Sequence, residues 1–152
     1  MFEYSRNVFF YETDKMGIVH HSNYVRWLEE ARNEYFVSVN LAYVETERLG
    51  VMSPITDIDL KYKHPARFGD RFTVCMEITK YTGVRFHVTY SVVNQEGNIL
   101  CEGKSTHCFV GKDLKPISLA RAIPERHALF QDILENRDTP ENRNSYEEEK
   151  NK

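Results

Sequence analysis

The chain has 152 residues, enough for one domain and too few for two ordinary ones. Apolar residues make up 41% and charged residues 28%, and 20 Lys and Arg against 23 Asp and Glu leave a net charge of -3. These figures argue against a disordered chain and against a nucleic-acid module with its basic excess, and no apolar run approaches the ~20 residues of a membrane span.

A first strand is expected from about Tyr4 to Tyr11. The clearest helix follows, from about Asn23 to Val39. Tyr24, Trp27, Leu28, Ala31, Tyr35 and Val39 recur with a period of about 3.6. Glu29, Glu30, Arg32, Asn33 and Glu34 lie mostly off that stripe, and Ser22 stands before it as an N-cap candidate. A short helix is predicted from about Ala42 to Arg48, closed by Gly50. Pro54 to Lys63 reads as a strand with Ile58, Leu60 and Tyr62 on one face. Phe72 to Ile78 and Val84 to Val92 alternate apolar and polar residues, so they form a hairpin across Lys80-Tyr81-Thr82-Gly83. Asn94 to Asn98 makes the next turn, and a strand runs from about Ile99 to Val110. A late helix is predicted from Pro124 to Leu134, with Pro124 in its first turn. From Asn136 to Lys152 no Leu, Ile, Val or Phe occurs, so residues 136–152 read as a polar tail, disorder being the physical expectation for so little apolar surface.

The folded domain is then 1–135: an α+β fold with one long helix on an antiparallel sheet of about five strands. One helix covers one face. The other face is expected to carry large side chains, and the edge strands to be open. A partner subunit solves both problems, so a homo-oligomer is expected.

Functional side chains concentrate in Tyr11-Glu12-Thr13-Asp14-Lys15-Met16-Gly17-Ile18-Val19-His20-His21-Ser22-Asn23-Tyr24. This stretch spans the end of the first strand, a loop and the start of the long helix. Gly17 lets the loop take a left-handed conformation. Asp14 precedes the turn and His21 follows it, at a helix N-terminus whose unpaired N–H groups favour an oxyanion. A carboxylate, an imidazole and an amide donor so close together suit acyl hydrolysis. The other histidines show no metal-ligand spacing, and Cys75, Cys101 and Cys108 have no C-x-x-C spacing, so neither a metal site nor a disulfide framework is expected. Phosphate-loop, dinucleotide and serine-hydrolase motifs are absent from the sequence, and no cofactor is expected. Lys61, Lys63, Arg67, Lys80 and Arg85 read mostly as solvated strand charges; Arg85 is taken as a candidate contact for an anionic part of the substrate. The start, Met1 to Arg6, lacks a signal pattern, which predicts a cytoplasmic protein.

Tyr11, Asp14, Gly17, Ile18-Val19, His21, Asn23-Tyr24, Trp27, Glu29 and Ala31-Arg32 closely resemble the fingerprint of the 4-hydroxybenzoyl-CoA thioesterase family. These are hotdog-fold acyl-CoA thioesterases and include Tol-Pal-associated bacterial enzymes. The likeness is specific over about Val8 to Phe36 and looser through Tyr62, Pro65 and Gly69-Asp70 to about Pro116. It implies a long helix wrapped by an antiparallel sheet, and a homodimer or homotetramer. It implies Asp14 and His21 as catalytic residues; Tyr11, Gly17, His20 and Tyr24 of the same stretch are taken, with Arg85, as candidate substrate contacts. The chain departs from the family at His20, where relatives often carry an aromatic residue. The implied substrate is an acyl-CoA, with acyl carrier protein as a second thiol carrier. Two other readings stand beside it: a hotdog dehydratase or hydratase, for which His64 with Asp70 is the candidate pair, and a non-catalytic acyl-CoA-binding module.

Overall fold

The computed structural model describes residues 1–137. The elements in chain order are β1 (Phe2–Asn7), a 3-10 turn (Phe10–Glu12), α1 (Ser22–Ser38), α2 (Tyr43–Arg48), β2 (Ile55–Tyr62), β3 (Arg71–Tyr81), β4 (Arg85–Asn94), β5 (Ile99–Cys108), α3 (Leu119–Ala122) and α4 (Pro124–Arg137). The strands form one antiparallel sheet in the order β1-β3-β4-β5-β2.

The period-2 pattern sets which face is buried. Phe72, Val74, Met76 and Ile78 of β3 and Phe86, Val88, Tyr90 and Val92 of β4 all point to one side and are buried. α1 lies on that side, mainly over β1 and β3. Trp27 stacks flat on Phe72, with ring centroids 3.8 Å apart. Phe36 packs against Phe86 and Phe130, joining α1 to β4 and α4. Truncating a side chain as enclosed as Trp27 costs about 3–5 kcal/mol.

Several boundaries differ from expectation. β1 ends at Asn7 rather than near Tyr11. The apolar run Phe9-Phe10-Tyr11 looks like a strand, but the chain turns there and leaves Phe10 and Tyr11 exposed. Ser22 is the first residue of α1 rather than its N-cap, a position taken by His21. On α1 the buried stripe includes Phe36 and also Arg32, which sequence periodicity assigned to solvent. α3 was not anticipated. α4 continues to Arg137, so Asn136 and Arg137 close a helix rather than begin a tail. Arg137 pairs with Glu77 and donates to the Ile78 and Thr79 carbonyls, at the β3 segment beyond the end of β1. The remainder of the expected tail lies outside the described residues.

The second sheet face also differs. Opposite α1 stand Thr73, Cys75 and Glu77 of β3 and His87, Thr89 and Ser91 of β4, so the large apolar side chains of these two strands lie on the helix side. This face is polar enough to meet water and does not call for cover. β1 and β2 are the two edge strands, and β2 is the more exposed. Its inward-facing Ile58 and Tyr62 are 38% and 48% exposed. β2 approaches β5 closely because residue 103 is glycine: any Cβ there would collide with Leu60 and the Asp59 carbonyl.

Candidate active site

The loop between the 3-10 turn and α1 is held from beneath by Glu12. Its carboxylate is buried and accepts four hydrogen bonds: two from Arg6, one from the Phe9 N–H at 2.8 Å and one from Trp27 Nε1 at 2.7 Å. Arg6 also binds Glu30 and lies 4.3 Å over the Phe9 ring. Burial pushes the Glu12 carboxyl upward, but Arg6, the Phe9 amide and the Trp27 indole outweigh it and hold it below the usual carboxylate range. The Glu12 carbonyl accepts from both the His20 N–H and Asn23 Nδ2, tying the loop's return to its start. Thr13 and Val19 pair across the loop, and Val19 donates to the Ala66 carbonyl.

Asp14 stands at the neck of this loop. Its N–H donates to the Ile18 carbonyl, and its own carbonyl accepts from Gly17, whose φ of +75° is the left-handed turn that glycine permits. Oδ1 accepts the Met16 N–H at 2.8 Å, which orients the carboxylate, while Oδ2 has no partner among the described residues. Asp14 is half-buried and, with His21, Tyr24, Tyr62, Lys63 and His64, lines a cleft of about 360 Å³.

His20 and His21 divide the work at the helix start. His20 Nδ1 accepts the Ser22 N–H at 3.3 Å and meets Ser22 Oγ at 2.8 Å, so the His20 ring takes up the first N–H of α1 and carries any lone ring proton on Nε2. His21 lines the cleft. Its carbonyl accepts the Tyr62 hydroxyl at 3.1 Å, and its N–H has no acceptor among the described residues. That free donor lies at the positive end of α1. Tyr24 meets Tyr62 edge-on, and burial raises both phenols, Tyr24 to about 12, so neither is an anion at neutral pH.

The other candidates divide. Tyr11 is exposed, rests against Phe9 and is not part of the cleft wall. Gly17 shapes the loop rather than lining the cleft. Arg85 pairs with Cys108, whereas the cleft lies at the other end of the sheet, where Lys63 meets Leu100, so one chain does not bring Arg85 to Asp14. His64 and Asp70 are not joined: His64 Nδ1 contacts the Ile99 carbonyl, and the Asp70 carboxylate holds Arg67 N–H and Gln95 in a turn. Among the described residues no group of three His, Cys, Asp or Glu side chains is placed to hold a metal, and no helix is long and apolar enough to cross a membrane. Sequence reading missed the anchoring role of Glu12; its one signal was the spacing Arg6, Glu12, Trp27, which only the fold closes.

Residues 8–133 match the family model of the thioesterase-like superfamily. The chain belongs to that superfamily. The superfamily match extends to curated relatives. The chain is 35% identical over 121 residues to a putative acyl-CoA thioesterase, YneP, of Bacillus subtilis, covering 79% of this chain and 88% of that one. It is also 35% identical to a putative esterase of Aquifex aeolicus, over 82% of this chain and 95% of the relative. Among solved structures, the DHNA-CoA thioesterase of Staphylococcus aureus superposes with a TM-score of 0.85 at 29% identity, over 91% of this chain and 95% of that one. The α1-on-sheet architecture is thus the hotdog fold of the thioesterase-like superfamily.

Proposed function

We infer that this chain is an acyl-CoA thioesterase, of the 4-hydroxybenzoyl-CoA type in its loop and helix start. One observation carries the assignment of roles: a carboxylate with a free oxygen, Asp14, and an unpaired helix-start amide, His21 N–H, line the same cleft. A thioester carbonyl is electrophilic because sulfur donates weakly to it, and its thiol leaves with little acid help, near the Cys reference of ~8.5. The reaction needs a base or nucleophile and a donor for the oxyanion. Asp14 supplies the first, taking a proton from water as water attacks the carbonyl, or attacking it directly. The His21 N–H receives the oxyanion. Collapse then breaks the C–S bond and releases thiolate, giving the acid at once in the first route and, in the second, an anhydride on Asp14 that water hydrolyses to the acid. A donor of this kind is worth about 10²–10³ in rate.

Tyr24 and Tyr62 form the wall beside the reacting group, and Lys63 stands at the rim for the anionic end of CoA. Acyl carrier protein presents its acyl group on the same kind of thiol arm, so it is a second carrier for this site. The open edge of β2 supports a homodimer, or a homotetramer built from it, with the site beside the joint. Three cysteines present as thiols suit a reducing, cytoplasmic setting. The test is free-thiol release from a panel of acyl-CoAs by wild type and Asp14→Asn. Release that survives unchanged in a folded Asp14→Asn protein removes Asp14 from the mechanism. A sedimentation run showing only a 17.9 kDa monomer rejects the oligomer.

A further inference from the structure

A second cleft, of about 510 Å³, opens between the middle of α1 and the start of β2, lined by Arg32, Tyr43, Ser53, Ile55 and His107. Arg32 is only 4% exposed. Its Nη1 donates to Tyr90 Oη at 3.0 Å. The Ser53 carbonyl at the far end only accepts, so a neutral His107 carries its proton on Nδ1 and the direction of the bonds between is fixed. The Tyr90 hydroxyl then donates to Ser105 Oγ at 2.8 Å, and Ser105 to His107 Nε2 at 2.9 Å. His107 Nδ1–H reaches the Ser53 carbonyl at 3.3 Å. Burial first, and the Arg32 charge next, lower His107 to about 4, so the ring is neutral as this relay requires.

Each atom of the relay has its partner, and one donor beside it is left over. Arg32 Nε is buried and has no partner. No carboxylate makes an ion pair with Arg32 among the described residues: Glu29 and Glu47 stand on the exposed rim of the cleft beyond that range. Tyr43, beside the guanidinium, and Tyr90 are both raised by burial and stay neutral. A buried cation with an unused N–H and no anion is costly to keep, and an oxygen acceptor entering the cleft repays that cost.

The position of the cleft says what brings the oxygen. α1 hardly touches β2, so the inward face of β2, with Ile58 and Leu60, forms an apolar strip from Tyr62 beside His21 to Ile55 beside Arg32. Along α1 the rise from His21 to Arg32 is about 16 Å. An extended hydrocarbon chain spans that distance in about a dozen bonds of ~1.5 Å set in zigzag. We propose that this cleft is the far end of the acyl site and selects acyl groups bearing an oxygen acceptor about a dozen bonds from the thioester. The proposal rests on the thioesterase reading for the place of the thioester.

The experiment uses the intact protein and non-hydrolysable S-alkyl CoA thioethers of graded length, ending in methyl, hydroxyl or carboxylate. Binding is measured by calorimetry, and the matching thioesters are assayed for kcat/KM. The expected result is at least tenfold tighter binding of the oxygen-ended ligands over methyl, greatest near a dozen bonds and lost in Arg32→Met. Equal or tighter binding of methyl-ended ligands at every length overturns the proposal. So does a folded Arg32→Met that still discriminates, or one that changes only the oligomeric state, which would assign the free N–H to a second copy. Should Arg32→Met fail to fold, the wild-type length profile decides: a peak supports the proposal and a flat profile overturns it. Hydrolysis without discrimination sinks this inference alone. Discrimination in thioether binding without any hydrolysis sinks the thioesterase reading and leaves the cleft standing.

Discussion

Glu12 and Asp14 are two residues apart and live in opposite surroundings. Glu12 is enclosed, and both its oxygens are saturated by Arg6, Phe9 and Trp27. Asp14 is half-exposed, with one oxygen held and one free. The first carboxylate spends its charge on structure, and the second keeps its charge available to a ligand. The contrast teaches that a reactive loop needs a nearby group that is not reactive. Asp14 and the helix start share one cleft because Glu12 ties both ends of the loop to β1 and α1.

The sharpest way to test that division is to neutralise each carboxylate in turn. Asp14→Asn keeps the Met16 hydrogen bond and loses the base, so turnover should fall by about 10³ or more with the melting temperature unchanged. Steady-state thiol release and thermal melts measure both halves. Glu12→Gln should do the reverse, costing about 3–4 kcal/mol of stability by breaking a buried ion pair. Denaturant titration reads that loss, and an unchanged midpoint would mean that the knot is not structural.

His21→Pro comes next. The His21 φ of -54° suits proline, so the main change is the missing N–H. A drop of about 10²–10³ in kcat is expected, against less than tenfold for His21→Ala. If alanine is as damaging as proline, the imidazole rather than the amide does the chemistry.

Acid separates two buried groups. His107 is held at about 4 when folded against an ordinary 6.5, so the unfolded chain binds the extra proton between those values. Stability is therefore lost as pH falls from about 6.5 to 4, by on the order of 2–3 kcal/mol. Glu12 is held below its ordinary value, so its contribution is complete above about 4.5 and fades only below it. Urea midpoints followed with pH should show both windows, and His107→Gln should erase only the upper one. The smallest effect belongs to Arg85→Ala: less than twofold in kcat/KM, since Arg85 stands at the other end of the sheet. A larger rise in KM alone would mean that a second copy delivers Arg85 to the cleft.

Much of this was legible in the sequence where one rule acts locally. The stripe on α1 and the alternation of β3 and β4 needed only periodicity, and the loop residues and the fingerprint of the family sat within one contiguous stretch. What escaped was polar burial. Arg32 reads as a surface residue because its partner, Tyr90, is 58 residues away. Glu12 reads as loop polarity because Arg6 and Trp27 close around it only after β1 and α1 dock. The second sheet face differs for a related reason: the alternation of β3 and β4 puts their large apolar side chains on the helix side alone.

Trp27 is the single tryptophan of the chain, fully enclosed, stacked on Phe72 and hydrogen-bonded to Glu12. The protein therefore carries its own optical probe, wired to the anchor of the reactive loop. Its emission reports release of that anchor, while circular dichroism reports the sheet as a whole. Coincident traces on heating would mean that the loop and the sheet melt as one unit. Early loss of the indole signal would mean that the loop lets go while the strands still stand.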